Sequence, residues 1–90
     1  MARCTTKATI VNRLGLHARP AMAFVDAASQ FTSTVTVANA GNTVDGKSIM
    51  QMMMLAATKG TELEITADGD DAKQACDELR TLIKSGFDED

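Results

Sequence analysis

The chain is organised around the stretch Gly15-Leu16-His17-Ala18-Arg19-Pro20, which holds its only histidine and its only proline. Proline is tolerated in the first turn of a helix, so this stretch predicts a helix that starts beside His17, with the imidazole at or next to the N-cap. The free N–H groups of Ala18 and Arg19 would then form an anion site. Because the Arg19 guanidinium adds donors suited to phosphate oxygens, the stretch is suited to carrying a phosphoryl group on the histidine.

Length, charge and composition narrow the class of protein. Ninety residues make one small domain, spanning 1–90. A net charge of −3 and an aromatic content of 3% argue against a nucleic-acid partner. No apolar run reaches the ~18–20 residues that span a bilayer, and the N-terminus lacks the apolar region of a signal peptide, so we expect a cytoplasmic protein without membrane insertion. Cys4 and Cys76 show no metal-ligand spacing, and no motif indicates a metal or an organic cofactor.

The spacing of apolar residues predicts seven elements. In chain order they are strand 5–11, helix 20–29, strands 33–38 and 43–44, helix 48–54 or 48–57, strand 61–67 and helix 72–84. This β-α-β-β-α-β-α order favours an α+β fold in which three helices cover one face of a four-stranded antiparallel sheet. The predicted inward residues are Ala8, Ile10, Ala21, Phe24, Val25, Ala28, Val35, Val37, Leu63, Ile65, Ala72, Ala75, Cys76, Leu79, Leu82 and Ile83.

Short polar and glycine-containing segments mark the ends of these elements. Asn39-Ala40-Gly41-Asn42 predicts a hairpin turn. Ser48 and Gln51 fit the capping-box pattern at the start of the second helix. The last helix has three such signals, namely Asp70 and Asp71 at its start, Gly86 as a left-handed cap before a back-folded Phe87, and a solvated acidic tail at 88–90.

The second helix is apolar on all sides, so a short surface helix cannot bury every one of its side chains. One interpretation is a core filled by flexible methionine; the other, which we favour, is a docking surface that adapts to more than one partner. Ile49, Met50 and Met53 are the candidates for exposure. The same surface is expected to take in Ala18 and Met22 from the first helix, with Lys47 as a neighbouring charge.

Two stretches resemble a known family. Gly15–Ala21 is similar to the active-site signature of HPr, the histidine-containing phosphocarrier of the phosphoenolpyruvate phosphotransferase system, and Gly46–Met50 resembles the second HPr signature. The resemblance implies an open-faced β-sandwich and phosphorylation of His17 on Nδ1 with help from Arg19. It also implies a stoichiometric carrier, not an enzyme, that takes phosphate from an enzyme I-type protein and passes it to an enzyme IIA-type domain.

Finer features suggest a branch and a form of control. The approach Asn12–Gly15 and the closing residues 85–90 look most like NPr, the carrier of the nitrogen-related branch, and a sugar-branch HPr is the alternative. Ser48 is a good helix N-cap, and the resemblance also implies a regulatory phosphorylation site there, which a serine kinase/phosphorylase would use. We expect a monomer.

A second motif competes with this interpretation. Residues 41–48 match the P-loop pattern G-x-x-x-x-G-K-[ST], which would make the chain a small nucleotide-binding protein. We reject the P-loop because the chain is too short for a parallel βαβ scaffold and because Thr43-Val44 is typical of a strand. A third possibility is a plain α+β interaction module in which the methionines bind a partner and His17 is idle.

Overall fold

The computed structural model describes residues 2–88. Its elements follow the order β1 (Arg3–Thr9), α1 (Ala18–Ala28), β2 (Thr34–Asn39), β3 (Asn42–Asp45), α2 (Ile49–Met54), β4 (Glu62–Asp68) and α3 (Ala72–Lys84), and a 3-10 turn follows at Gly86–Asp88. The strands form one antiparallel sheet in the order β1-β4-β2-β3. This is the predicted α+β fold, an open-faced sheet with three helices.

The central strand, β4, shows why only one face of the sheet is covered. Ile65 pairs with Thr6 on one side and with Val37 on the other, whereas Glu64 pairs with Lys7 and Ala38. Since side chains alternate between faces along a strand, Leu63, Ile65 and Ala67 enter the core and Glu62 and Glu64 face solvent. The predicted inward residues are all buried except Val25 and Leu82, which are half-buried.

Helices α1 and α2 lie antiparallel beside each other on the covered side. The Leu16 N–H, just before α1, donates to the carbonyl of Ala57, just after α2, at 2.9 Å. At the opposite end, Lys47 Nζ donates to the Phe31 carbonyl at 2.7 Å. These two contacts tie the start of α1 to the end of α2 and the end of α1 to the start of α2.

Several element boundaries differ by one or two residues from the sequence-based prediction. Strand β1 lies two residues earlier than 5–11, because Thr9 pairs with Glu62 and β4 begins there. Beyond that point Ile10 bonds to the turn before β4, through Thr61 and Gly60, and is outside the sheet. Helix α1 begins at Ala18 and not at position 20, since the backbone of Ala18 and Arg19 is already helical before the proline. Helix α2 takes the shorter of its two predicted lengths.

The segment that matched the P-loop pattern is a hairpin strand followed by a tight loop. Ala40 and Gly41 both have positive φ, 51° and 87°, as a two-residue type I′ hairpin turn requires. Val44 then pairs with Val37 in β3. Gly46 is needed for packing, because a Cβ there would lie 2.7 Å from Val35 Cγ1. The stretch therefore lacks the strand-to-helix phosphate loop of a nucleotide-binding protein.

Of the two predicted helix caps, that of α2 forms in part and that of α3 does not form. Ser48 caps α2 as expected, with its hydroxyl accepting from the Gln51 N–H at 3.3 Å. The Gln51 side chain, however, accepts from the Asp45 N–H at 2.8 Å, so the reciprocal half of the capping box is absent. Asp71 is the N-cap residue of α3 but makes no side-chain cap to that helix. Its carboxylate instead accepts from the backbone N–H groups of Thr32 and Ser33.

The two cysteines and the chain end complete the fold. Cys76 is buried, and its thiol donates to the Cys4 carbonyl at 3.2 Å. Burial raises the pKa of the Cys76 thiol to about 11, which suits a core residue. Gly86 has a φ of 70° and closes α3 as predicted, while Phe87 folds back and is buried. The last two residues of the predicted acidic tail, 89 and 90, lie outside the described residues.

Asp71 makes the stability of the protein depend on acid pH. Hydrogen bonds from the Ser33 hydroxyl and the Thr32 N–H lower the pKa of Asp71 from 3.8 to about 2. A carboxylate with a depressed folded-state pKa contributes fully above the unfolded value and is lost as the pH falls through the folded value. We therefore expect Asp71→Asn to lower the urea midpoint at pH 7 and to differ little from wild type at pH 2.

The exposed neighbour Asp70 provides the matched control, since Asp70→Asn removes the same charge without those hydrogen bonds. Equal losses for the two variants at pH 7 would contradict a specific role for Asp71.

Candidate functional site

The loop before α1 is held in shape by its own side chains. The buried Asn12 amide donates to the Gly15 carbonyl at 2.7 Å, and the Gly15 N–H donates back to the Asn12 carbonyl at 3.2 Å. Gly15 adopts a φ of 69°, a left-handed conformation that costs a glycine little. The loop therefore delivers the next two residues, Leu16 and His17, from a closed turn.

That turn is pressed against the segment that follows α2. A Cβ on Gly15 would lie 2.5 Å from the Ala57 carbonyl oxygen and 2.9 Å from Thr58 Cα, so only glycine fits. The buried Leu16 adds the backbone hydrogen bond to Ala57. The start of α1 is thus fixed by the burial of Leu16 in the core and by the contacts with the segment that follows α2.

His17 is the N-cap residue of α1, as the sequence predicted. Its backbone is extended, with φ −85° and ψ −169°, and its carbonyl accepts the first helical hydrogen bond from Ala21 at 3.0 Å. The imidazole makes no cap to its own helix, and the residue is half-buried. The ring is therefore not occupied in closing the helix end.

The first turn of α1 is electropositive. Ala18 and Arg19 occupy its first two positions, where backbone N–H groups have no acceptor within the helix. Pro20 occupies the third and has no N–H, and this turn contains no acidic residue. The exposed Arg19 side chain adds a full positive charge. Two backbone amide donors and the positive end of the helix dipole therefore lie at the His17 end of α1.

Apolar side chains remain exposed on the neighbouring helices. Met50 and Met54 are 76% and 77% exposed, whereas Met52 between them is completely buried. We use "methionine surface" for the exposed apolar residues of α1 and α2: Met22, Ile49, Met50, Met53 and Met54. The predicted exposure of Ile49, Met50 and Met53 is confirmed.

Met54 and the loop residue Leu14 are exposed apolar residues that the sequence analysis did not single out. The run Met52-Met53-Met54 extends beyond Met50 and Met53, the two methionines of α2 predicted to be exposed. The sequence could therefore have indicated Met54 as well. Leu14 carried no such signal, since its exposure follows from the turn between Asn12 and Gly15.

Lys47 and Ser48 lie at the other end of α1 from His17. Lys47 is bound to the Phe31 carbonyl, and Ser48 caps the start of α2. The eleven residues of α1 separate these groups from His17, a rise of ~16 Å at 1.5 Å per residue. The structure therefore brings His17, Ala18, Arg19 and Met22 together at one end, and α2 connects that end to Ser48. Within residues 2–88, no group of three or more His, Cys, Asp or Glu side chains could hold a metal ion.

Comparison with known proteins identifies the family. The family model for the PTS HPr component phosphorylation site matches residues 4–85. The phosphocarrier protein HPr of Neisseria meningitidis serogroup B is 50% identical over 80 residues, covering 89% of this chain and 90% of that protein. The phosphocarrier protein NPr of Proteus mirabilis is 45% identical over 85 residues, covering 93% and 94%.

Solved structures agree with the fold. HPr-C-His from Thermoanaerobacter tengcongensis matches with a TM-score of 0.89 at 41% identity, covering 100% of this chain and 99% of that one. The HPr of Bacillus anthracis strain Ames matches with a TM-score of 0.87 at 35% identity, covering 92% and 99%.

The family match makes the chain an HPr-type phosphocarrier, a protein that relays a phosphoryl group and is not itself a catalyst. The chain belongs to the HPr family of the phosphotransferase system. Relatives named HPr and NPr match it at comparable identity. No helix within the described part of the chain is long and apolar enough to cross a membrane.

The close approach of Gly15 to Ala57 predicts the effect of a methyl group. We expect Gly15→Ala to lower the free energy of unfolding by about 2 kcal/mol, since alanine is strained at this φ and also meets the Ala57 carbonyl. Denaturant unfolding measures the loss. Gly41→Ala is the control, because Gly41 has a similar φ but no atom within 4 Å of the added Cβ. If the two variants lose equal stability, the contact with Ala57 does not hold the loop.

Proposed function

We propose that His17 accepts the phosphoryl group on Nδ1 from an enzyme I-type donor charged by phosphoenolpyruvate. It then donates the group to an enzyme IIA-type acceptor of the nitrogen-related branch. HPr proteins of the phosphotransferase system interact with partners of these two types. The observation that carries the proposal is the position of His17 at the N-cap of α1, two residues before Arg19.

Phosphoryl transfer to a histidine requires an unprotonated ring nitrogen and groups that stabilise the charge on the phosphate. Nδ1 forms a bond to phosphorus while the bond between phosphorus and the donor breaks, and the donor keeps that electron pair. Phosphoryl transfer depends mainly on positioning and on stabilising charge. The amides of Ala18 and Arg19 and the Arg19 guanidinium supply that stabilisation at the helix N-terminus. The reverse sequence of bonds hands the group to the acceptor.

A carrier meets its donor and its acceptor through the surface around the same atom. The methionine surface borders the His17 end of α1 through Met22 and extends along α2. Methionine side chains are flexible and polarisable, so one such surface can adapt to two differently shaped partners. We propose that Ala18 and the methionine surface make the apolar contacts of both complexes, with Lys47 as a charge at the far rim.

Residues that take no part in phosphoryl transfer support the assignment to the nitrogen-related branch. The approach Asn12–Gly15 is similar to the nitrogen-branch carrier, and in this fold Asn12 holds the turn that delivers His17. We also propose that the protein works as a monomer in the cytoplasm, so that the His17 end of α1 stays open to partners. A solved structure of the Thermoanaerobacter tengcongensis HPr dimer matches this chain with a TM-score of 0.76, which makes sedimentation the appropriate check.

Intact mass after incubation with phosphoenolpyruvate, Mg²⁺ and a panel of enzyme I-type donors tests the relay. Wild type should gain one acid-labile phosphate, and His17→Ala should gain none. The nitrogen-branch donor should work fastest; faster transfer from a sugar-branch donor would assign the chain to sugar uptake instead. Arg19→Ala should keep the fold and the single phosphate but slow transfer roughly 100-fold, the cost of one charge-stabilising donor.

If no active donor phosphorylates the protein, the result would favour the plain interaction module over the phosphocarrier. Equal rates for Arg19→Ala and wild type would remove Arg19 from the mechanism.

Polar substitution on the methionine surface separates docking from folding. We expect Met53→Gln to weaken binding to the IIA-type acceptor roughly tenfold and to change the free energy of unfolding by less than ~0.5 kcal/mol, as at an exposed site. Isothermal calorimetry and urea unfolding measure the two effects. Met52→Gln is the control, because Met52 is fully buried and its replacement should cost about 2–5 kcal/mol. A large stability loss in Met53→Gln would show that Met53 belongs to the core.

Ser48 offers a route to control from the far end of α2. A phosphate there, added by a serine kinase/phosphorylase, brings about two negative charges next to the exposed Ile49 and Met50. We expect Ser48→Asp to slow phosphoryl transfer several-fold while leaving the fold intact. Ser48→Asn is the matched control, since asparagine caps a helix as well as aspartate does and adds no charge. Equal transfer rates for the two variants would exclude control by charge at this position.

A further inference from the structure

A separate cleft lies at the edge of the sheet that β1 forms. It has a volume of about 310 Å³ and is lined by Lys7, Ala8, Thr9, Val11, Glu62, Arg80 and Lys84. Residues of β1 and its exit form one wall, and the C-terminal half of α3 forms the other. None of the lining residues belongs to the His17 end of α1 or to the methionine surface.

The charge of this cleft is opposite to that of the chain. The protein carries a net charge of −3, yet Lys7, Arg80 and Lys84 line this cleft with one carboxylate, that of Glu62; Glu64, opposite Lys7 on the neighbouring strand, is not among the lining residues. Within residues 2–88, none of these three cations forms a side-chain hydrogen bond or an ion pair. By contrast, Lys73 on the same helix pairs with Asp77 at 3.4 Å. Like charges gathered without partners repel one another, and a bound anion would relieve that repulsion.

We infer that this cleft binds a small phosphomonoester. Three cations and one carboxylate leave an excess of two positive charges, which matches the roughly two negative charges of such a group at neutral pH. Arginine and lysine are the side chains that bind phosphate oxygens best. The volume falls at the lower end of small-molecule sites, ~300–1,000 Å³, and Ala8 and Val11 offer apolar contact to the carbon skeleton.

Backbone N–H donors are available to a ligand on only one wall of the cleft. Strand β1 has a single neighbour in the sheet, so some N–H groups along Lys7–Thr9 face outward from the edge and can donate to a ligand. The other wall ends at the C-terminus of α3, whose dipole is negative there and opposes an anion. The hold on the phosphate therefore comes from Arg80, Lys84 and Lys7 side chains and should weaken as salt is added.

Titration of the ¹⁵N-labelled protein with ribose 5-phosphate tests this site, with ribose as the uncharged counterpart. We expect saturable shifts of the amide signals at 8–11 and 80–84 with ribose 5-phosphate and none with ribose. Arg80→Gln and Lys7→Gln should each weaken binding roughly tenfold, whereas Lys73→Gln, on α3 but outside the cleft, should leave it unchanged. Glu62→Gln should tighten binding several-fold, since it removes the carboxylate that lines the cleft.

Several outcomes would overturn the inference. Shifts that rise linearly without saturation would mean that no site exists. Shifts confined to residues 18 and 19 would place the phosphate at the start of α1 instead. Equal affinities for Arg80→Gln and Lys73→Gln, or no gain in Glu62→Gln, would show that general charge attraction and not this cleft is responsible.

Discussion

Burial of a single face of the sheet is the constraint on which the rest of the structure depends. Leu63 and Ile65 on β4 are completely buried, while Glu62 and Glu64 on the same strand are in solvent. All three helices must therefore share one side, and α2, which lies beside α1, has only six residues. A helix of that length can anchor itself through Met52 but cannot hide its other methionines. The exposed apolar surface beside His17 is thus a consequence of the way in which the sheet is covered.

The sequence was most informative where a feature depends on near neighbours along the chain. The position of His17 at a helix N-cap followed from one proline and one alanine-rich pattern, and the Ser48 cap followed from its hydroxyl and the Gln51 amide three residues later. Alternation in β2 and β4 identified Val35, Val37, Leu63 and Ile65, which are all buried, and helical spacing identified most of the buried residues of α1 and α3. These features depend on residues only a few positions apart, so the local sequence pattern is enough to predict them.

Features that depend on distant partners could not be read from the sequence. The end of β1 at Thr9 is set by where β4 begins, and the Asp71 carboxylate leaves its own helix for Thr32 and Ser33 because the fold brings them within reach. Lys47 looks like a free surface charge in the sequence but is held by the Phe31 carbonyl. The basic cleft is the clearest case, since Lys7 and Arg80 are separated by most of the chain.

Pro20 has a consequence for the energetics of the relay. A helix that begins with three ordinary residues offers three unused amides to an anion, but proline at the third position leaves the first turn of α1 with two. A phosphoryl group on His17 would be held less firmly than at a full helix start. If a carrier bound its phosphoryl group too tightly, transfer of that group to the acceptor would be unfavourable. With one donor fewer, a phosphoryl group on His17 would be easier to pass on than one held at a full helix start.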